Sequence, residues 1–258
     1  MRLIILLLLT LPLLARAEIH SEAITWKVDD VEFSGYLVYA KGGEARPGVV
    51  MVPNWMGVTD SALSKAKSIA ADGYVVLVAD VYGSSVRPAN AQEAGAAAGK
   101  AYADRALLRK RVTAAADLLK TQPASVPLQH DSIAAIGFCF GGATVLELAR
   151  SGYELDAVVS FHGNLTTDLP AQTSAVKAKL LVLNGADDSY VKSADIDGFE
   201  QEMRAAGADW QFVNFAGAVH CFAEADAQQP PGCVYNERAA KRAYRMMNAH
   251  LSEAFSGG

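Results

Sequence analysis

Six short, nearly continuous apolar runs punctuate this chain, at residues 48–52, 74–79, 132–136, 157–160, 180–183 and 210–215. Runs of that length without polar alternation suit parallel strands covered on both faces. Between and after them lie stretches with helical spacing, at 61–71, 91–120, 143–151, 194–206 and 236–255. Strand and helix in alternation predict an α/β fold built on a mostly parallel, doubly wound sheet. Ahead of that pattern, 23–28 and 31–39 alternate apolar with polar residues around Asp29-Asp30, which predicts an N-terminal antiparallel hairpin. Ligands of such sheets gather beyond the carboxyl ends of the strands, so the residues that follow each run carry the functional question.

The first seventeen residues have a different character. Arg2 precedes an unbroken apolar stretch that closes on Ala15, Arg16 and Ala17, the form of a secretory signal. The stretch is shorter than the roughly 20 residues of a membrane span, so no stable membrane anchor is expected. The expectation is an exported protein, periplasmic or secreted, whose mature chain begins near Glu18 and forms a single domain over 18–258. No repeat or low-complexity linker divides that stretch, and roughly 240 residues fit one α/β core. A net charge of -5 with no Lys/Arg cluster argues against nucleic acid and anionic lipid as partners. Oligomeric state is not legible.

After the run 132–136 comes Gly137-Phe138-Cys139-Phe140-Gly141-Gly142, leading into helical spacing. This is the nucleophile-elbow pattern G-x-S-x-G with Cys in place of Ser. Glycines two before and two after let strand and helix approach, and the bend lifts the central side chain above the sheet. The following helix N-terminus favours a thiolate there. The order expected of this fold is nucleophile, acid, histidine. Asp187 and Asp188 follow the run 180–183, and His220 follows 210–215. Spacing alone does not choose between the two aspartates. His162, after 157–160, also reaches the catalytic edge and is expected to line the pocket, whereas His20, His130 and His250 are read as surface residues. The second half of an oxyanion hole, beside the Phe140 amide, is expected from the Trp55 amide in the loop after 48–52.

Three cysteines leave an odd thiol. Cys221 and Cys233 flank a polar, Pro-rich loop and are disulfide candidates in an oxidising compartment, which leaves Cys139 free. No Cys/His cluster has zinc spacing, so neither metal nor cofactor is expected.

The chain resembles the dienelactone hydrolase family of α/β-hydrolase-fold enzymes over nearly its whole length beyond residue 17. The resemblance rests on Gly137 to Gly142, on Gly185-x-x-Asp188-x-x-Val191, on His220-x-Phe222 and on Asp80-x-Tyr82. It implies a triad of Cys139, His220 and Asp188, with the amides of Trp55 and Phe140 receiving the oxyanion. It also implies a small-molecule ester, lactone or thioester as substrate, with Asn54, His162, Phe222 and Glu224 as pocket residues. Two positions depart from the family. Asn54 stands where its best-known members carry a glutamate that helps ionise the thiol, so either His220 activates Cys139 directly or the thiolate persists without help. Glu224 stands where an arginine grips the carboxylate of dienelactone, and a carboxylate there is expected to repel an anionic substrate. The competing readings are a non-catalytic periplasmic binding protein that keeps the fold, and a redox thiol with Cys221 as its resolving partner.

Overall fold

A computed structural model describes residues 18–257, so the export signal read at 1–17 lies outside the described residues. The hairpin forms first: β1 (Ile19–Val28) pairs antiparallel with β2 (Val31–Ala40), turning at Asp29, whose φ is 52°. Then follow β3 (Arg46–Val52), α1 (Asp60–Ala71), β4 (Val75–Val78), α2 (Ala91–Tyr102), α3 (Arg105–Lys120), β5 (Leu128–Phe138) and α4 (Phe140–Arg150). The chain continues through β6 (Ala157–Phe161), β7 (Lys179–Gly185), α5 (Ser193–Ala206) and β8 (Trp210–Phe215). A small ribbon of β9 (Gln228–Gln229) and β10 (Cys233–Val234) precedes the last helix, α6 (Glu237–Phe255).

Eight strands join in the order β1-β2-β4-β3-β5-β6-β7-β8. From β4 to β8 every neighbouring pair is parallel, while β2 meets both β1 and β4 antiparallel. The apolar runs of β3 to β7 are buried because helices cover both faces, whereas 210–215 forms the edge strand β8, where only Phe215 is buried. Alternate residues of one strand feed two different cores: Val50 and Val52 pack toward α3 and α4, Val49 and Met51 toward α1 and α6. The strand order reverses its direction of growth at β3 and β5, and the loops after those two strands carry Trp55 and Cys139. That is the switch point at which open sheets bind ligands.

Two local features differ from the sequence expectation, and the burial of one helix adds a third finding. The stretch 91–120 is two helices, because the Asp104 carboxylate accepts the Leu107 amide at 2.9 Å and caps a new helix. The break leaves Tyr102 facing the cavity described below. His250, read as a surface residue, is buried against the sheet, and its Nε2 donates to the Lys179 carbonyl at 3.1 Å. Helix α4 is buried along its full length, Glu147 and Arg150 included. Glu147 accepts from Arg109 Nε at 2.9 Å and Arg150 Nη1 at 3.1 Å, so its charge is paired inside the protein.

Candidate active site

Cys139 occupies the bend between β5 and α4 with φ 53° and ψ -116°, a left-handed backbone that a non-glycine residue holds only under strain. Glycine is required on either side. A Cβ on Gly137 would lie 2.1 Å from the Gly141 carbonyl oxygen, and one on Gly141 would lie 2.0 Å from that of Val52. The Cys139 amide donates to the Phe161 carbonyl at 2.9 Å and to His162 Nδ1 at 3.1 Å, which clamps the bend to the end of β6. His162 and Cys221 also carry positive φ, so three strained residues surround one site.

His220 reaches Cys139 from the loop after β8, with Nε2 3.0 Å from Sγ. Its Nδ1 lies 2.7 Å from Asp188 Oδ2, and Asp188 Oδ1 accepts the Tyr190 amide at 2.9 Å. Asp188 is buried while Asp187 is exposed. The geometry therefore distinguishes two carboxylates that spacing did not. Burial alone would depress the proton affinity of His220. The hydrogen bonds to Asp188 and Cys139, and their charges, outweigh it and raise the ring to about 10. These partners favour the charged ring, the state in which it donates toward Asp188 from one nitrogen and toward the sulfur from the other.

The amides of Trp55 and Phe140 engage no protein acceptor among the described residues. The Trp55 loop is held from two directions: Tyr82 Oη donates to the Trp55 carbonyl at 3.0 Å, and Asn54 Oδ1 accepts the Met56 amide at 3.0 Å. Asp80 explains the Asp80-x-Tyr82 pattern. Its Oδ1 accepts the amides of Tyr82 and Gly83, at 2.9 and 3.0 Å, and fixes the turn from which the Tyr82 ring projects.

A cavity of about 450 Å³ opens over the sulfur, lined by Trp55, Tyr102, Phe140, Tyr190, Asn54 and Glu224 among others. Two expected pocket residues lie elsewhere. His162 is 1% exposed and sits behind the nucleophile, its ring edge against His220 at 4.9 Å, because the clamp on the Cys139 amide turns it inward. Phe222 is fully buried between Phe215 and His162. Glu224 does face the cavity, yet it is not a bare charge: Lys65 Nζ lies 2.8 Å from Oε2. That partner removes most of the expected repulsion. Sequence reasoning missed Lys65, since a lysine on the amphipathic α1 reads as solvent-facing and nothing local marks a partner 159 positions away.

Cys221 and Cys233 are bonded, with Cα atoms 5.0 Å apart, and Cys139 is the free cysteine. The disulfide closes the loop that forms one wall of the cavity, where the Val234 amide donates to the His220 carbonyl at 3.1 Å. No group of His, Cys, Asp and Glu among the described residues could hold a metal ion, and no described helix is long and apolar enough to cross a membrane.

Residues 33–255 match the dienelactone hydrolase family. The chain belongs to that family. It has the α/β-hydrolase fold and is a hydrolase of the lactone- and ester-cleaving type the family comprises. It is 33% identical to a dienelactone hydrolase-like promiscuous phosphotriesterase from metagenomic libraries, with a TM-score of 0.85 over 92% of this chain and 99% of that one. A dienelactone hydrolase from Anabaena variabilis shares the fold at 21% identity, TM-score 0.66, covering 91% of this chain and 98% of the other. An uncharacterized protein of Caenorhabditis elegans is 32% identical over 154 residues, 58% of this chain and 95% of that protein.

Proposed function

We propose that this family member cleaves esters, lactones or thioesters through a covalent acyl-enzyme on Cys139. The observation that carries the reading is the contact of His220 Nε2 with Sγ at 3.0 Å, with Asp188 bonded behind the ring at 2.7 Å. The sulfur attacks the substrate carbonyl, and the resulting oxyanion is received by the amides of Trp55 and Phe140. His220 holds the proton taken from the thiol and gives it to the leaving alkoxide as the tetrahedral intermediate collapses. Once the sulfur is acylated, its charge and hydrogen bond no longer support the imidazolium. The proton affinity of the ring falls, and the neutral ring takes a proton from water that attacks the thioester. Asp188 orients the imidazole throughout and stabilises its cation.

The export proposal rests on residues 1–17 and is favoured by a disulfide, a bond that persists in oxidising compartments. With Cys221 engaged by Cys233, the redox-thiol reading loses its resolving partner. The binding-protein alternative keeps the fold without turnover. Replacement of Cys139 by Ala tests the catalytic reading: turnover of a model aryl ester is abolished while the circular dichroism spectrum is unchanged. Undiminished turnover by the folded variant refutes it.

A further inference from the structure

The carboxylate of Glu224 lies between the two halves of the site, yet acid–base chemistry on the substrate is already assigned to His220. It is 2% exposed and lines the cavity. Oε2 accepts from Asn54 Nδ2 at 2.6 Å and from Lys65 Nζ at 2.8 Å. Among the described residues Oε1 has no hydrogen-bond partner; it faces His162 Nε2 at 3.9 Å, an atom that is itself buried and without a partner there. His162 accepts the Cys139 amide on Nδ1, so the neutral ring carries its hydrogen on Nε2 and turns it toward Glu224. Asn54 in turn is the residue on which the Trp55 loop hangs: its carbonyl accepts the Gly57 amide at 2.9 Å and its side-chain oxygen the Met56 amide.

We propose that Glu224 is a positioning residue that ties the loop bearing the Trp55 amide to the elbow bearing Cys139 and the Phe140 amide, and so sets the width of the oxyanion hole. The inference rests on the acyl-transfer reading above. One carboxylate oxygen holds the loop through Asn54, while the other faces the ring that clamps the elbow. An unbalanced negative charge at this depth would oppose an oxyanion. Lys65 cancels it, lying 12% exposed with its ammonium 4.0 Å from the centre of the Phe138 ring. A buried ion pair adds little to stability compared with apolar residues of the same volume. Its value here is the placement of a rigid acceptor between two loops.

Two variants test the assignment. Lys65→Met with Glu224→Met removes both charges at similar volume, and Asn54→Ser cuts the link to the loop while leaving the ion pair intact, so it serves even where the double variant fails to fold. Donor placement acts on the oxyanion and not on the thiolate. The expected result for either variant is kcat for an aryl ester lowered roughly 10- to 100-fold with KM little changed, and alkylation of Cys139 by iodoacetamide at the parent rate. Parental kcat in the folded variants overturns the proposal. So does alkylation slowed as much as turnover, which would place the effect on the sulfur. A parent protein that alkylates but turns over no ester defeats the acyl-transfer reading itself, and that failure shows before any variant is made.

Discussion

His162 and His220 lie ring edge to ring face at 4.9 Å, yet their proton affinities are driven in opposite directions. Burial, then the charges of His220 and Lys65, push His162 well below its ordinary range, whereas Asp188 and Cys139 raise His220 to about 10. One ring is a fixed acceptor for a backbone amide, and the other is a proton carrier. The difference arises from partners, since the two residue types are identical.

The contact of His220 Nε2 with the sulfur predicts that the ring governs the reactivity of Cys139. Alkylation by iodoacetamide at pH 7 is expected to slow roughly 10-fold in His220→Ala, because the thiolate is the reacting species and the ring is its partner. Alkylation rates of the parent and the variant at one pH check this, and equal rates contradict it.

Replacing Asp188 with Asn keeps the shape but removes the charge behind the ring and permits the wrong tautomer. A loss of roughly 10³- to 10⁴-fold in kcat follows from the triad logic, with thermal stability near that of the parent. Steady-state kinetics beside a melting curve decide the point. The Asp187→Asn variant, altering an exposed side chain, serves as the control with near-parental kcat.

His162 predicts acid sensitivity. Its folded proton affinity is depressed, so the stability it confers is complete above the unfolded value of about 6.5 and is lost as pH falls toward the folded value. His162→Asn, which retains a side-chain acceptor, should lessen the loss between pH 7 and pH 5 by up to about 1.4 kcal/mol per pH unit. Urea unfolding at the two pH values measures it. Equal slopes for parent and variant would show that other groups govern acid unfolding.

Reduction of the Cys221–Cys233 bond frees the loop that holds His220 through the Val234 amide. Closing a loop of that size is worth about 3 kcal/mol, but β1 to β8 do not depend on it. Cys221→Ser with Cys233→Ser is therefore expected to remain folded, melt earlier and show a lower kcat. Turnover and melting temperature with and without a phosphine reductant provide the check.

Much of this site was legible in the chain because each functional group follows a strand that announces itself by apolarity. The elbow, the acid-bearing loop and the histidine loop are all fixed by local rules, and each lies where an apolar run ends. What was not legible depends on contacts between distant segments. Lys65 meets Glu224 across α1 and the loop after His220, and no pattern in either segment signals the pair. His162 turned inward because its backbone adopts φ 41° and its ring accepts the Cys139 amide, a choice made by tertiary geometry. The break at Asp104 was missed for a different reason: a capping carboxylate inside an otherwise continuous helical pattern resembles any exposed acid until its amide partner is seen.

The covalent step is the core of the account, and a rapidly quenched reaction addresses it directly. Mixed with an activated aryl ester, stopped with acid and digested, the protein should yield the peptide bearing Cys139 heavier by one acyl group, with the adduct appearing in the same burst as the released phenol. Turnover with no adduct on that peptide, or an acyl group found on another side chain, would contradict it.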